Sequence, residues 1–319
     1  MKKILISIII LVIVGWVGYS FVIKTIVGMT KDFEPYTFQR VLEDSLLRVR
    51  YGIVNQKSPR DYGFKNVEEV SFNSSLDNLE LSGWYVNSAP ESKTTVLIIH
   101  GRTSNRLKTM KFLQIFKETG LDSMYNFFIP DMRNSGKSTP ASTYMGYKFA
   151  EDIHGSLSFL KEKGQNKFVI YAFSMGAMAT CTMIDREDLP KAKGSVLKLI
   201  LDSPLSNAKK TVQKSAEEMG LPNFMFENAY EEFSEEMNGY SERMAIGTQL
   251  KGVNIPILII QSNDDVKTPT ALTKEQLEIL GDKPNIESWF MDGPEHVRIY
   301  TEDKFREEYT KRVEDFMRR

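Results

Sequence analysis

Histidine and cysteine are the scarce residues of this 319-residue chain, with three of the first and one of the second. The lone cysteine, Cys181, cannot form an internal disulfide, and in apolar helical sequence it reads as a buried, inert thiol. Three histidines, His100, His154 and His296, leave a short search for a general base. No ligand cluster suggests a metal and no motif calls for an organic cofactor. With 41 basic against 42 acidic residues the net charge is −1, so nothing points to nucleic acid as a partner. Internal repeats and low-complexity tracts are absent as well.

What the chain does have, in one place, is a long apolar run. Ile4 to Ile23 is almost unbroken, with Lys2 and Lys3 before it and Lys24 after it. About 20 such residues span a ~30 Å hydrocarbon core as a helix, so residues 1–30 read as an uncleaved signal-anchor in a single-pass membrane protein. A cleaved signal peptide is the rival reading. Its apolar region is nearer ~7–15 residues and ends in a small-x-small site, which Gly18-Tyr19-Ser20 matches poorly. Lys24, Lys31 and Arg40 nearly balance the basic residues on the near side. The favoured orientation puts the N-terminus inside and the catalytic domain extracytoplasmic.

Residues 31–60 read as a connecting helix and linker. Phe38, Val41, Leu42, Leu46 and Val49 recur at helical spacing between Tyr36 and Arg50, and Ser58-Pro59-Arg60-Asp61 then breaks the chain. From residue 61 to 319 strands and helices alternate. Strands are predicted at 67–72, 79–86, 95–100, 125–130, 167–173, 196–202, 256–261 and 286–291. Helices are predicted at 106–119, 144–163, 175–185, 269–280 and 297–317. Short, continuous apolar strands separated by helices imply a mainly parallel sheet covered on both faces. Residues 206–252 interrupt the alternation with methionines and aromatics (Met219, Met225, Phe226, Tyr230, Met237, Met244) but no strand. Two arrangements stay open there: a helical lid over the C-terminal edge of the sheet, or ordinary helices packed on the body.

The segment Lys167 to Ala177 carries the chemistry. A buried apolar strand stops at Ser174, flanked at two residues' distance by Ala172 and Gly176, and a helix follows. That is the strand–turn–helix context of a nucleophile elbow, with alanine in place of the first glycine of G-x-S-x-G. A serine hydroxyl needs a base, and the base needs an orienting acid. His100 abuts Gly101 in a tight turn and His154 lies inside a helix. His296 follows the last strand, at the sheet edge where Ser174 sits, and is the expected base. The acid comes from the loop after 256–261: Asp265 is preferred for its aim ahead of Pro269, with Asp264 the alternative. Asp202, in Asp202-Ser203-Pro204, is expected to bond its own turn. Two backbone N–H groups are expected to hold an oxyanion, that of Met175 after the nucleophile and that of Arg102 in the loop His100-Gly101-Arg102.

These residues resemble the α/β-hydrolase superfamily from about Asp61 onward. The order Ser174, Asp265, His296 is that superfamily's order, His100-Gly101 is similar to its oxyanion loop, and Asp131-Met132-Arg133 through Gly136 and Ser138 resembles its D-x-R-x-x-G-x-S segment. Within it, the opening hairpin, the Asp202-Ser203-Pro204 turn and Pro256 are most similar to a membrane-anchored, serine-peptidase-like branch. The resemblance implies an α/β-hydrolase fold, with a mainly parallel eight-stranded sheet, a small helical lid at 206–252 and the N-terminal transmembrane helix. It also implies a serine hydrolase of carboxylesterase type, acting on a small-molecule or acyl-lipid ester, thioester or amide. An acyltransferase on the same residues and a silent membrane-tethered binding module are the rival functions.

Overall fold

The computed structural model describes residues 2–53, 55–189 and 194–319, with side chains from residue 16 onward. The described residues form an eight-stranded sheet of β1 (Val67–Asn73), β2 (Glu80–Val86), β3 (Thr94–Ile99), β4 (Asn126–Asp131), β5 (Lys167–Phe173), β6 (Val196–Asp202), β7 (Ile257–Ser262) and β8 (Ile286–Met291). Their spatial order is β1-β2-β4-β3-β5-β6-β7-β8. β2 runs antiparallel to β1 and β4, and every pairing from β4 through β8 is parallel.

The helices follow the chain as α1 (Lys2–Lys31), α2 (Phe38–Glu43), α3 (Ser45–Arg50), α4 (Arg106–Thr109), α5 (Leu113–Glu118), α6 (Tyr147–Glu162), α7 (Met175–Asp185), α8 (Ala208–Glu218), α9 (Asn223–Glu235), α10 (Ile246–Gln249), α11 (Thr270–Leu280) and α12 (Asp303–Arg318). The period-2 geometry of a strand divides its side chains between two cores. Leu97, Ile99, Ile170 and Ala172 enter the cluster under α6, α7 and the insertion. Val96, Ile98, Val169 and Tyr171 enter the opposite cluster, under α5 and α12. Both faces are apolar, which is why β3 and β5 read as continuous hydrophobic runs.

Several expectations differ from the structure: the helix predicted over 106–119 is divided into α4, a 3-10 turn and α5, and that over 297–317 begins only at Asp303. The helix predicted over Tyr36–Arg50 is broken, because the Asp44 carboxylate accepts a hydrogen bond from Leu47 N–H (2.8 Å) and starts α3 as its N-cap. The connecting segment 31–60 packs on the body: Tyr36 and Thr37 pair with Ser135 and Gly136, and Tyr36, Val41 and Ile53 are buried in the core. The membrane anchor falls for most of its length on residues 1–15, outside the described side chains. Among the described residues no helix is long and apolar enough to cross a membrane, so the transmembrane element of the expected fold has no counterpart there. The part of α1 that is described packs inward instead. Ile23, Ile26 and Val27 bury against Ala229 of α9, with Val22, Leu221 and Met225 around them.

The insertion between β6 and β7 is helical, formed by α8, α9, a 3-10 turn and α10, and an Asn207–Ala245 bridge closes its neck. Phe226, Tyr230, Phe233, Met237 and Met244 are buried in the main core, so most of its apolar content is packing. Met219 and Phe224 are exceptions, 55% and 60% exposed, and Met219 lines the cavity described next.

Candidate active site

β3, β5, β6, β7 and β8 all end at one edge of the sheet, and the residues that follow them converge there. Ser174, after β5, is held at φ +54° and ψ −122°, a conformation that L-residues rarely adopt. Two glycines make room for it. A Cβ on Gly176 would stand 2.4 Å from the His100 carbonyl oxygen, and one on Gly101 would stand 2.8 Å from Ser174 Cβ. The turn is therefore as tight as the Ala172–Gly176 spacing demands.

The structure brings the three predicted side chains together. His296 Nε2 lies 2.9 Å from Ser174 Oγ, and His296 Nδ1 lies 2.7 Å from Asp265 Oδ2. An ionised carboxylate accepts only, so Nδ1 carries the proton and Nε2 is left to accept from the serine. The Asp265 carboxylate also accepts from the backbone N–H groups of Lys267 and Thr268 (3.0 Å each) and from Thr268 Oγ1 (2.8 Å). Burial alone would raise its pKa, but the bonds from His296 and Thr268 outweigh that and hold the carboxyl below its usual range. Asp264 points elsewhere and accepts from Gly293 N–H at 3.0 Å, which fixes the loop that carries His296. Val297, next to that histidine, is left-handed at φ +55°, a strained setting for a β-branched residue.

The other candidates separate cleanly. His100 is fully buried: Nε2 accepts from Met132 N–H (2.9 Å) and Nδ1 donates to the Gly101 carbonyl (2.8 Å). Burial pushes its pKa down to about 4, so it stays neutral and shapes the loop. Asp202 accepts from Ser203 Oγ (2.8 Å) and Tyr309 OH (2.6 Å), and burial raises its pKa to about 6. Asp131 takes N–H bonds from Arg106 and Lys137, while Arg133 grips Asp152 and Asp77. Those two residues brace loops. Among the described residues no group of His, Cys, Asp or Glu could hold a metal ion.

Met175 N–H stands at the first position of α7, where a helix offers no acceptor of its own, and Arg102 N–H follows Gly101 in the loop against Ser174. The Arg102 side chain does something the sequence did not suggest. Its guanidinium donates to the carbonyls of Met29 (2.7 Å) and Asp32, the C-terminal end of α1. Two further residues escaped sequence reasoning. Thr268 bonds Asp265, and Asp-x-x-Thr is a local capping pattern that could have revealed it. Ser203 Oγ bonds Asp202 and accepts from Val297 N–H (3.3 Å), tying the turn after β6 to the histidine loop.

Ser174 and His296 open onto a cavity of about 430 Å³, inside the usual range for small-molecule sites. Its walls come from α1 (Ile26, Met29), the insertion (Val212, Met219) and the segment around Lys108 and Lys111.

The comparisons with known proteins agree with this layout. The family model described as alpha/beta hydrolase fold matches residues 94–239. Over that stretch and its flanking strands the chain has the alpha/beta hydrolase fold. The chain is similar to the esterase Pf2001 of Pyrococcus furiosus, with a TM-score of 0.63 and 25% identity over 82% of this chain and 94% of that one. It shares 25% identity over 260 residues with the uncharacterized protein YqkD of Bacillus subtilis (strain 168), covering 80% of this chain and 81% of that protein. A membrane phospholipase A described as a bacterial virulence factor shares the fold at 17% identity and TM-score 0.54, over 99% of this chain and 98% of that one.

Proposed function

We propose that this alpha/beta hydrolase is a serine hydrolase that cleaves a carboxylic ester, thioester or amide through an acyl-enzyme, with carboxylesterase activity its most direct expression. The observation that carries the reading is the unbroken hydrogen-bonded line from Ser174 Oγ through His296 to Asp265, at 2.9 and 2.7 Å. Ser174 Oγ attacks the carbonyl carbon as His296 Nε2 takes its proton. Asp265 keeps the imidazole in the required tautomer and stabilises the imidazolium that forms. The N–H groups of Met175 and Arg102 meet the charge that develops on the carbonyl oxygen. The imidazolium then protonates the leaving group. Water, deprotonated by the same histidine, releases the acid and restores the serine. The esterase Pf2001, alike in fold and 25% identical, supports this choice of reaction.

The same proposal gives the substrate an acyl chain and the protein a place at a membrane, with the catalytic domain on the extracytoplasmic side. Supporting it are the Ile4–Ile23 run and the apolar rim of Trp16, Phe21, Met29 and Phe224, all more than half exposed. Large apolar side chains left exposed on α1 and the insertion suit contact with a lipid surface. Membrane fractionation and protease accessibility on intact cells test the location. A soluble pool, or a domain digested only after lysis, would remove those two parts of the proposal respectively.

A fluorophosphonate probe tests the chemistry. Wild type should label at Ser174 and the Ser174→Ala protein should not. Labelling that persists in the variant would sink the nucleophile assignment.

A further inference from the structure

The cavity next to Ser174 is apolar along α1 and the insertion, but its remaining wall is cationic. Lys108 and Lys111 both line it, with Tyr51 between them. Lys108 is 8% exposed and Lys111 3% exposed. Lysines this deep are almost always paired with a carboxylate. These are not: among the described residues no carboxylate forms an ion pair with either. Lys108 Nζ donates to the Thr103 carbonyl (3.2 Å) and, at a long 3.5 Å, to Tyr36 OH, and it stands 3.9 Å from the centroid of the Tyr51 ring. Lys111 Nζ donates to the Tyr51 carbonyl (3.0 Å) and stands 5.6 Å from the same ring. Each ammonium has three donors, so carbonyls and ring faces leave both short of acceptors.

The neighbourhood deepens the deficit. Burial pushes both groups down to about 7, and the surrounding charges push the same way: Lys267, Arg40 and Arg50 around Lys108, and Lys108 and Arg298 around Lys111. Asp202 opposes that shift on Lys111, but its carboxylate is already engaged by Ser203 and Tyr309. Of the other cations of the cavity wall, Arg102 spends its guanidinium on the carbonyls of α1, and Lys267 is exposed to solvent. Two ammonium groups thus face the reaction chamber with no internal counter-ion.

We infer that Lys108 and Lys111 form a subsite for an oxyanion, carboxylate or phosphate, carried by the substrate itself, so that the ester cleaved at Ser174 is an anionic amphiphile. The apolar wall takes the hydrocarbon and the lysine wall takes the acid group. This deepens the serine hydrolase reading and rests on it. Only a ligand bearing its own charge supplies what the site lacks, and a buried charge-assisted bond is far stronger than the same bond in water.

Matched ester pairs test it. p-Nitrophenyl hemiglutarate against its methyl-capped counterpart places the anion on the acyl side. A 1-acylglycerol 3-phosphate against the 1-monoacylglycerol places it on the alcohol side. The wild-type protein should favour the charged member of at least one pair in kcat/KM, and which pair identifies the source of the anion. Lys108→Met and Lys111→Met should each cut that ratio about tenfold, the order expected for losing a hydrogen bond to a charged group. Lys214→Met, an exposed lysine on the insertion, should leave it in place. Anion binding is also read without catalysis: inorganic phosphate should raise the melting temperature of the Ser174→Ala protein and not of the same protein carrying both methionines. A ratio near one on both pairs, or a ratio that both lysine variants retain, would overturn the subsite. Failure to label Ser174 or to cleave any of the four esters would instead sink the serine hydrolase reading, and the phosphate shift would then decide the subsite alone.

Discussion

Around His296 the polar groups are matched almost bond for bond, whereas on the opposite wall of the same cavity Lys108 and Lys111 are left with carbonyls and ring faces. Asp265 accepts four hydrogen bonds, and both ring nitrogens of His296 are engaged. The two lysines are more deeply buried than Ser174 or His296, yet neither has an opposite charge paired with it. The first arrangement suits groups that must already be in place when the substrate arrives, since reorganisation during reaction would add to the barrier. The second suits groups whose partner arrives with the substrate. A satisfied wall stabilises the fold, and an unsatisfied one stores binding energy at the fold's expense.

Breaking the satisfied wall should have the largest effects. Ser174→Ala should lower kcat on a p-nitrophenyl ester by about four to six orders of magnitude, as removal of a serine nucleophile does elsewhere. Asp265→Asn should cost about 10³–10⁴, because the amide favours the wrong tautomer of His296. Asp264→Asn should cost less than about tenfold, since its amide oxygen still accepts the one loop hydrogen bond from Gly293 N–H. Equal losses from the two aspartate variants would remove the distinction between them. The carboxyl of Asp265 is depressed in the folded protein, so its contribution to stability is complete above the ordinary carboxylate range. That contribution is lost as pH falls through the lower, folded value.

Relaxing the unsatisfied wall should have the opposite sign on stability. Both lysines have folded pKa values of about 7 against an ordinary 10.5, so between those values the unfolded chain binds more protons. Their burial therefore costs stability at low pH, and the cost fades as pH rises through that window. The protein carrying both Lys108→Met and Lys111→Met should melt higher than wild type by several degrees. The gap should be widest near pH 6 and narrow by pH 9, as read by calorimetry across that range. A variant that melts lower at every pH would show that these lysines are structural. The smallest effect sharpens the contrast from the other side. Thr268→Val removes one bond to Asp265 and should lower kcat about fivefold, worth about 1 kcal/mol. KM should hardly change, because the Thr268 hydroxyl at the cavity wall is spent on Asp265 and the Ser203 carbonyl.

Some of this was open to reading in the sequence and some was not, for physical reasons. The strands from β3 to β8 were legible within a residue or two at each end, since a strand buried on both faces is an apolar run with a clear beginning and end. Ser174, Asp265 and His296 were legible because each directly follows such a strand, so topology carries them to one edge whatever the loops do. The two breaks in the predicted helices at Asp44 and after Thr109 were not, because capping and 3-10 tightening depend on single side chains that periodicity averages away. The methionines of the insertion illustrate a different limit. Met219, Met237 and Met244 look alike in sequence, and only packing decides which one faces the cavity. Lys108 and Lys111 were the least visible of all. Two lysines three residues apart on a helix read as a solvated face, and nothing in the sequence shows that Tyr36 and Tyr51 from the N-terminal segment cover them. The inward packing of α1 was hidden similarly, since its apolar residues suit a bilayer and a protein surface equally well.

Arg102 links that helix to the reaction. Its side chain holds the last turn of α1, and its own N–H is one of the two groups assigned to the oxyanion. If the proposed oxyanion role of Arg102 N–H holds, the seating of α1 becomes a mechanical condition for activity. The N-terminal helix is therefore not a tether that can be trimmed to obtain a convenient soluble enzyme. A chain shortened to residue 33 would lose the acceptors at Met29 and Asp32 and the Ile26 wall of the chamber together. Its catalytic failure would then say nothing against Ser174. Full-length protein in detergent or lipid is the form in which the chemistry should be measured.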